Sequence, residues 1–132
     1  DGATVFYGQG EKAGTTKELG TDMWTTGATY AVNSVTMGVQ LTSIDSATAN
    51  ADADRQHLAL SYQINDDLAI SYGMSTVEFE NASLVDQEDS GFSISYTMGS
   101  MSLVGSWLES DNVGGVSATN DSHTEIALSF AF

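Results

Sequence analysis

The carboxyl-terminal stretch His123-Thr124-Glu125-Ile126-Ala127-Leu128-Ser129-Phe130-Ala131-Phe132 decides the fold of this chain. Its large apolar side chains, Ile126, Leu128, Phe130 and Phe132, alternate with small or polar ones. A repeat of two residues predicts a β-strand with one apolar and one polar face. The same alternation occurs in an edge strand of a soluble β-sandwich. This stretch alone therefore predicts a two-faced strand but does not tell whether its apolar face contacts lipid or a protein core.

Composition narrows the classes of protein that this chain can belong to. Its 132 residues fit one domain, residues 1–132, or part of a larger one. The apolar residues make up 41% of the chain but never form the run of about 20 that a transmembrane helix needs, so only a barrel could cross a membrane. The chain has no cysteine for a disulfide framework and no proline, which suits long strands. Three basic residues against 18 acidic ones exclude a basic nucleic-acid surface.

Alternating segments recur along the chain and predict eight strands. The predicted strands are Ala3–Gln9, Asp22–Val32, Val35–Asp45, a fourth with Leu58, Leu60, Tyr62 and Ile64, a fifth from Leu68 to Ser75, Phe92–Met98, Met101–Asp111 and His123–Phe132. Long connections at 10–21, 46–54, 81–90 and 112–120 alternate with tight turns at 33–34, 65–67 and 99–100. The first and seventh strands have apolar residues on both parities, so their facing stays open. Alternating short and long connections are typical of an outer-membrane barrel.

Charged residues gather at the long connections and leave the strand middles almost uncharged. The acids assigned there are Glu11, Glu18, Asp22, Asp45, Asp52, Asp54, Glu78, Glu80, Asp86, Glu88, Asp89, Glu109, Asp111 and Asp121, together with the bases Lys12, Lys17 and Arg55. One hypothesis is a carboxylate-lined mouth that concentrates cations. The other is a solvated face, where salt screens charges beyond about 8 Å.

Aromatic residues are expected at two levels of the barrel wall. Those near the tight turns are Tyr30, Tyr62, Tyr72, Tyr96 and Phe130, and those near the long connections are Trp24, Phe79, Phe92 and Trp107. Two aromatic girdles mark the two membrane interfaces of a transmembrane barrel. The predicted girdle residues are Trp24, Tyr30, Tyr62, Tyr72, Phe92, Tyr96, Phe130 and Phe132.

The residues that alternate with the large apolar ones predict a water-exposed inner wall. Its predicted pore-lining residues are Gln40, His57, Ser61, Gln63, Ser71, Ser93, Ser95, Thr97, Glu125 and Ser129. An eight-stranded barrel is just wide enough for its own side chains to fill, and residues as small as Ser and Ala do not fill it. We therefore expect a wider, water-filled barrel. A complete eight-stranded barrel serving as an anchor or adhesin is the alternative.

The terminal aromatic strand, the order of turns and loops and the small inner residues together resemble the carboxyl-terminal half of a general porin of alphaproteobacterial type. Segments such as Tyr72-Gly73-Met74 and Ser95-Tyr96-Thr97-Met98-Gly99 carry the likeness. The resemblance implies a Gram-negative outer-membrane barrel of about sixteen strands, of which about eight are here. It also implies a homotrimer in contact with lipid and lipopolysaccharide, and passive diffusion of ions and small hydrophilic solutes. The other half, with its pore-constricting loop, is not in this sequence.

Bound ions and catalysis receive little support from the sequence. Asp52, Asp54, Asp86, Glu88 and Asp89 are weak candidates for divalent cations, because hard carboxylate oxygens suit calcium or magnesium but match no EF-hand loop. A Ser-His-acid group could be drawn around His57 or His123, yet no nucleophile elbow or paired-carboxylate spacing accompanies either one. We expect no enzyme activity and no cofactor.

Overall fold

The computed structural model describes residues 1–14 and 20–131. Lys17 and Glu18 of the first predicted connection and the terminal Phe132 lie outside these ranges. The strands are β1 (Gly2–Lys12), β2 (Thr21–Val32), β3 (Val35–Ser46), β4 (Ala53–Gln63), β5 (Leu68–Phe79), β6 (Gln87–Met98), β7 (Met101–Asp111) and β8 (Asp121–Phe130), with a short 3-10 turn at Val113–Gly115. The predicted all-β, up-and-down fold is confirmed, because each strand pairs antiparallel with the next in a single sheet.

The tight turns form where the sequence predicts them. Asn33 and Gly99 occupy the left-handed region, with φ of 52° and 59°. Asn and Gly tolerate that conformation, which short hairpins require. In the turn before β5, the Asn65 side chain accepts hydrogen bonds from the backbone of Asp67 and Leu68 at 2.9 and 3.0 Å. Ile64, predicted as strand, belongs to this turn, since β4 ends at Gln63.

The strands extend further toward the long connections than predicted. Most carboxylates assigned to connections, from Glu11 and Asp22 to Asp111 and Asp121, lie within strand ends. A strand end with polar side chains shows no apolar alternation in the sequence. Its backbone groups nevertheless form the hydrogen bonds of the ladder. The connections predicted at 46–54 and 81–90 shorten to 47–52 and 80–86, while the one at 112–120 keeps its predicted bounds.

The strand register gives the sheet two faces of different chemistry. The apolar face carries Val5, Tyr7, Trp24, Tyr30, Met37, Val39, Leu41, Leu58, Leu60, Tyr62, Ile70, Tyr72, Met74, Phe92, Ile94, Tyr96, Leu103, Trp107, Ile126, Leu128 and Phe130. The polar face carries the alternate residues, which are mostly Ser, Thr, Gly, Ala and Gln. Directly paired residues share a face, so one register defines both faces over all eight strands.

The register also resolves β1, whose facing the sequence left open. Val5 and Tyr7 join the apolar face, while Phe6 lies on the polar face opposite Gly27. A Cβ at Gly27 would collide with the Phe6 ring. Glycine at this position therefore makes room for the ring.

A glycine also makes room for a bulky side chain of β7, the other strand whose facing the sequence left open. Leu103 and Trp107 lie on the apolar face, and Val104 and Leu108 on the polar face. Leu108 is paired with Gly91, where an added Cβ would come within 2.7 Å of its Cδ2. A bulky residue on the polar face is thus again accommodated by a glycine across the ladder.

The sheet is a single layer whose two edges do not pair with each other. Val77, 6% exposed, is the only buried apolar residue in the described ranges. Exposure is greatest in the edge strands, at 77% for Val5 and 73% for Ile126. The described residues include no helix that is long and apolar enough to span a bilayer. A folded domain normally buries its apolar face against a second layer, so the apolar face needs a covering from outside the sheet.

Candidate pore-lining face

A row of hydroxyl side chains crosses the polar face near its middle. In strand order the row is Thr36, Ser61, Ser71, Ser93, Ser106 and Glu125, each the direct partner of the next. The Ser71 and Ser93 hydroxyl oxygens are hydrogen-bonded at 2.8 Å. The row offers donors and acceptors without fixed charge until it ends at a carboxylate in β8.

A second row, nearer the long connections, carries the ionisable groups. It runs through Gln40, His57, Ser75, Asp89, Ser110 and Asp121, again in direct register. His57 and Asp89 flank Ser75 on neighbouring strands, so about 10 Å separates their backbones at ~4.8 Å per strand. The Asp89 carboxylate accepts hydrogen bonds from Gln87 Nε2 at 3.0 and 3.1 Å. These groups are too widely spaced for one tight binding centre and are better suited to lining a path.

All ten predicted pore-lining residues lie on the polar face, from Gln40 in β3 to Ser129 in β8. Between β4 and β7 this face is hollow, with a cavity of about 480 Å³ that contacts His57, Ser71, Asp89 and Ser106. Thr36, Ser75 and Ser106 belong to the same rows but were missed as candidates. Parity alone would have identified Thr36 and Ser75, whereas Ser106 lies in β7, whose facing the sequence leaves open.

The long-connection end of the sheet reverses the chemistry of the two faces. The strand-end carboxylates on the side of the apolar face are Glu11, Asp22, Asp45, Asp54, Glu78, Glu88, Glu109 and Asp111. The charged strand residues on the polar face are only Lys12, Arg55, Asp89, Asp121 and Glu125. We call the first set the outer acidic rim. Most strand-end acids therefore lie on the face opposite to the candidate pore-lining residues, a placement that does not favour the hypothesis of a carboxylate-lined mouth.

The polar face becomes apolar at this same level. Met23, Ile44, Ala53 and Phe79 are successive cross-strand partners there, and Val77 precedes Phe79 on the same face of β5. We call these five residues the inner apolar rim. Phe79 lies near a long connection, as predicted, but on the polar face, so it does not share a face with Trp24, Phe92 and Trp107. It is an odd-numbered residue of β5, in which Tyr72 and the other apolar-face residues are even.

The remaining predicted girdle residues in the described ranges lie on the apolar face. Two separate aromatic levels are not present throughout, because Tyr72, predicted near the turns, pairs directly with Phe92, predicted near the loops. Phe92 also pairs with Trp107, and their ring centroids are 5.8 Å apart. Gly105 helps to admit the indole, since a Cβ there would lie 3.2 Å from Trp107 Cη2. The three aromatic residues thus lie in direct register across β5, β6 and β7, with the ring contact between Phe92 and Trp107.

The metal candidates do not converge in the structure. Within the described ranges, no three His, Asp or Glu side chains are grouped closely enough to hold a metal ion. Glu88 and Asp89 are consecutive strand residues and face opposite sides of the sheet. The Asp52 carboxylate accepts a hydrogen bond from Ser46 N at 2.7 Å, which gives it a role in holding its own loop.

The two histidines lie on the polar face but far apart. His57 is in β4 and His123 in β8, four strands and about 19 Å away at ~4.8 Å per strand. His123 Nε2 lies 3.9 Å from Glu125 Oε2, and both side chains are exposed. Neither histidine forms a hydrogen bond with a serine hydroxyl in the part of the chain described here, so the geometry contains no nucleophile activated by a base.

No protein-family model, no curated protein and no solved structure matches this chain. The function must therefore be inferred from the chemistry of the two faces.

Proposed function

We propose that this chain forms part of the wall of an outer-membrane porin, a water-filled channel for passive diffusion of ions and small hydrophilic solutes. The apolar face contacts lipid, and the polar face lines the channel. Additional strands complete a barrel of about sixteen, assembled as a homotrimer. The proposal assigns no catalytic step and no cofactor.

The observation that carries this proposal is a single β layer with large exposed apolar residues on one face and small polar residues on the other. Along β4, for example, Leu58, Leu60 and Tyr62 alternate with Ala59 and Ser61. In water the apolar face would cost about 25 cal/mol for each Å² left exposed. Hydrocarbon removes this cost, and the antiparallel ladder satisfies the backbone groups that a bilayer cannot solvate.

The size of the polar-face residues supports a wide channel over a closed ring of eight. Between the hydroxyl row and the row of ionisable groups, that face carries Gly38, Ala59, Gly73 and Gly91 in direct register. Protein interiors are packed to a density of about 0.75, and a dry eight-stranded barrel must reach it with inward side chains. Residues of this size leave the lumen of a ring of eight unfilled, whereas they line a larger aqueous lumen without strain.

The charge distribution supports only a weak preference for cations. Asp89, Asp121 and Glu125 face the proposed channel together with Lys12 and Arg55, so acids exceed bases there by one. The outer acidic rim faces the membrane side of the wall and contributes mainly through solvent, where screening acts within about 8 Å.

Reconstitution of the full protein into planar bilayers tests the proposal. We expect stepwise ohmic conductance and a zero-current potential under a KCl gradient of the sign for modest cation selectivity. In proteoliposomes we expect swelling in small neutral sugars. Folded protein that inserts into vesicles but conducts no ions would contradict the porin proposal and favour the anchor or adhesin. Protein that remains monodisperse without detergent would favour a soluble sandwich.

A further inference from the structure

The middle of the polar face between β4 and β7 forms a shallow basin with a floor of very small residues. The floor residues Ala59, Gly73 and Gly91 are successive cross-strand partners. The cavity of about 480 Å³ contacts all three of them. Sites that bind small molecules usually have volumes of about 300–1,000 Å³. The basin is therefore large enough to hold one small solute against the sheet.

Gly73 is the floor residue that packing within the sheet does not explain. At Gly91, an added Cβ would lie 2.7 Å from Leu108 Cδ2, so the leucine side chain needs a glycine there. At Gly73, the nearest atom to an added Cβ is Leu58 O at 3.6 Å, which is an ordinary contact distance. A glycine inside a strand costs stability and often marks a place where a ligand comes close to the backbone. The open position of Gly73 suits such an approach.

Hydroxyl groups border the basin on the side of the tight turns. Ser71, Ser93 and Ser106 are successive cross-strand partners, and all three contact the cavity. The hydrogen bond between the Ser71 and Ser93 oxygens, at 2.8 Å, uses one of the two hydroxyl protons. The other proton and the remaining lone pairs can bind a solute that both donates and accepts hydrogen bonds.

An apolar side chain flanks the basin on the side of β7. Leu108 lies on the polar face, is 47% exposed and contacts the cavity. Contact with the C–H groups of a solute would remove this apolar surface from water. His57 and Asp89 contact the cavity from its border toward the long connections, and the floor between them carries no charge. The basin thus combines hydroxyl groups with an apolar flank and an uncharged floor.

We propose that this basin binds a neutral sugar of monosaccharide size. A pyranose ring has a face of C–H groups, which suits Leu108 and the glycine floor, and a rim of hydroxyl groups, which suits the serines. This inference rests on the proposed function, because it takes the polar face as the inside of the channel. It goes beyond that function, since sugar passage would saturate with concentration, whereas simple diffusion rises in proportion to it.

Planar bilayers that contain the full protein provide the test, with glucose as the probe. Single-channel current is recorded in KCl at increasing glucose concentration and divided by the bulk conductivity of each solution, which removes the effect of viscosity. We expect a saturable decrease of the corrected current, with half-saturation at millimolar glucose. The zwitterion glycine, which has no hydroxyl rim, should cause no saturable decrease. An equal decrease with glycine would overturn the assignment of a sugar site.

Two glycines of one cross-strand row allow a matched comparison. Gly73→Val places an isopropyl group on the floor of the basin and should raise the half-saturating glucose concentration at least about tenfold. Gly38→Val adds the same group two strands away and outside the cavity, where an added Cβ would lie 3.4 Å from Thr29 Cγ2. Both variants add the same volume to the channel wall, so only Gly73→Val should change the half-saturating concentration. An unchanged value in folded Gly73→Val would contradict the site.

A pair of serine variants tests the same basin without adding volume. Ser93→Ala should raise the half-saturating glucose concentration about threefold, because one hydrogen bond to the sugar is lost. Ser95→Ala, the next polar-face residue of β6 and outside the cavity, should leave that concentration unchanged. This pair keeps the inference testable if Gly73→Val does not fold, and equal effects of the two serine variants would overturn it.

The sugar site and the porin proposal can fail separately. Wild-type channels whose corrected current does not respond to glucose would overturn the sugar site and leave the porin proposal intact. Folded wild-type protein that gives no channels would overturn both.

Discussion

The apolar and polar faces are built from the same eight strands but respond to different constraints. On the apolar face, cross-strand neighbours such as Leu60 and Tyr72 are large, and they remain exposed because no second layer packs on them. On the polar face, Phe6 and Leu108 fit only because they oppose Gly27 and Gly91. The two faces therefore differ in what constrains their residues, which is the covering of exposed apolar area on one face and side-chain volume on the other.

The largest expected effect comes from placing a charge on each face at the same height of β4. Leu60→Arg should lower the free energy of unfolding in lipid vesicles by about 2–4 kcal/mol, because the guanidinium would face hydrocarbon. Ser61→Arg, on the adjacent polar-face position, should cost less than about 1 kcal/mol, since its side chain would remain hydrated. Urea titrations monitored by tryptophan fluorescence provide the measurement. Equal losses for the two variants would mean that the faces do not meet different solvents.

The next prediction concerns the side-chain volume that the polar face can accommodate. Gly27→Ala should destabilise the protein by about 1–3 kcal/mol, because its methyl group overlaps the Phe6 ring and the Val39 carbonyl oxygen. Gly73→Ala, where the nearest atom is Leu58 O at 3.6 Å, should be neutral or stabilising by up to about 1 kcal/mol. The same unfolding titrations distinguish them. A neutral Gly27→Ala would show that Phe6 moves aside without cost.

The aromatic row on the apolar face gives a smaller effect. A double-mutant cycle with Phe92→Leu and Trp107→Leu should yield a coupling energy of about 0.5–1.5 kcal/mol, as expected for adjacent rings. Tyr30→Leu combined with Trp107→Leu serves as the control, since these residues lie in β2 and β7 and should be additive. Additivity of the Phe92 and Trp107 changes would contradict a direct ring contact.

Channel selectivity should show the smallest effect and separates the acids of the two faces. Asp89→Asn removes a polar-face carboxylate and should lower the cation-to-anion permeability ratio about 1.5-fold. Asp45→Asn, in the outer acidic rim, should change the ratio by less than about 1.1-fold, because that side chain lies on the apolar face, away from the proposed channel. Zero-current potentials under a salt gradient measure both. A larger change for Asp45→Asn than for Asp89→Asn would support the hypothesis of a carboxylate-lined mouth.

The strand middles and the tight turns were predictable because local rules govern them. Alternation assigned Leu128 and Phe130 to one face and Ser129 to the other, and Asn33 and Gly99 marked turns through their tolerance of positive φ. The strand ends were not predictable in this way. Glu11 has low strand propensity and polar or glycine neighbours, yet it pairs with Asp22 in the ladder because the paired residues nearer the strand middles already fix the register.

The amino-acid sequence by itself determined an eight-stranded antiparallel meander with two chemically distinct faces, since a period of two residues and turn chemistry are local properties. Only the tertiary structure decided the facing of β1 and β7, the position of most strand-end carboxylates on the apolar face, and the packing of Gly115 against Phe79 and Leu84. These features depend on which residues lie opposite each other across the ladder. That relation joins positions far apart in the chain, and no local pattern encodes it.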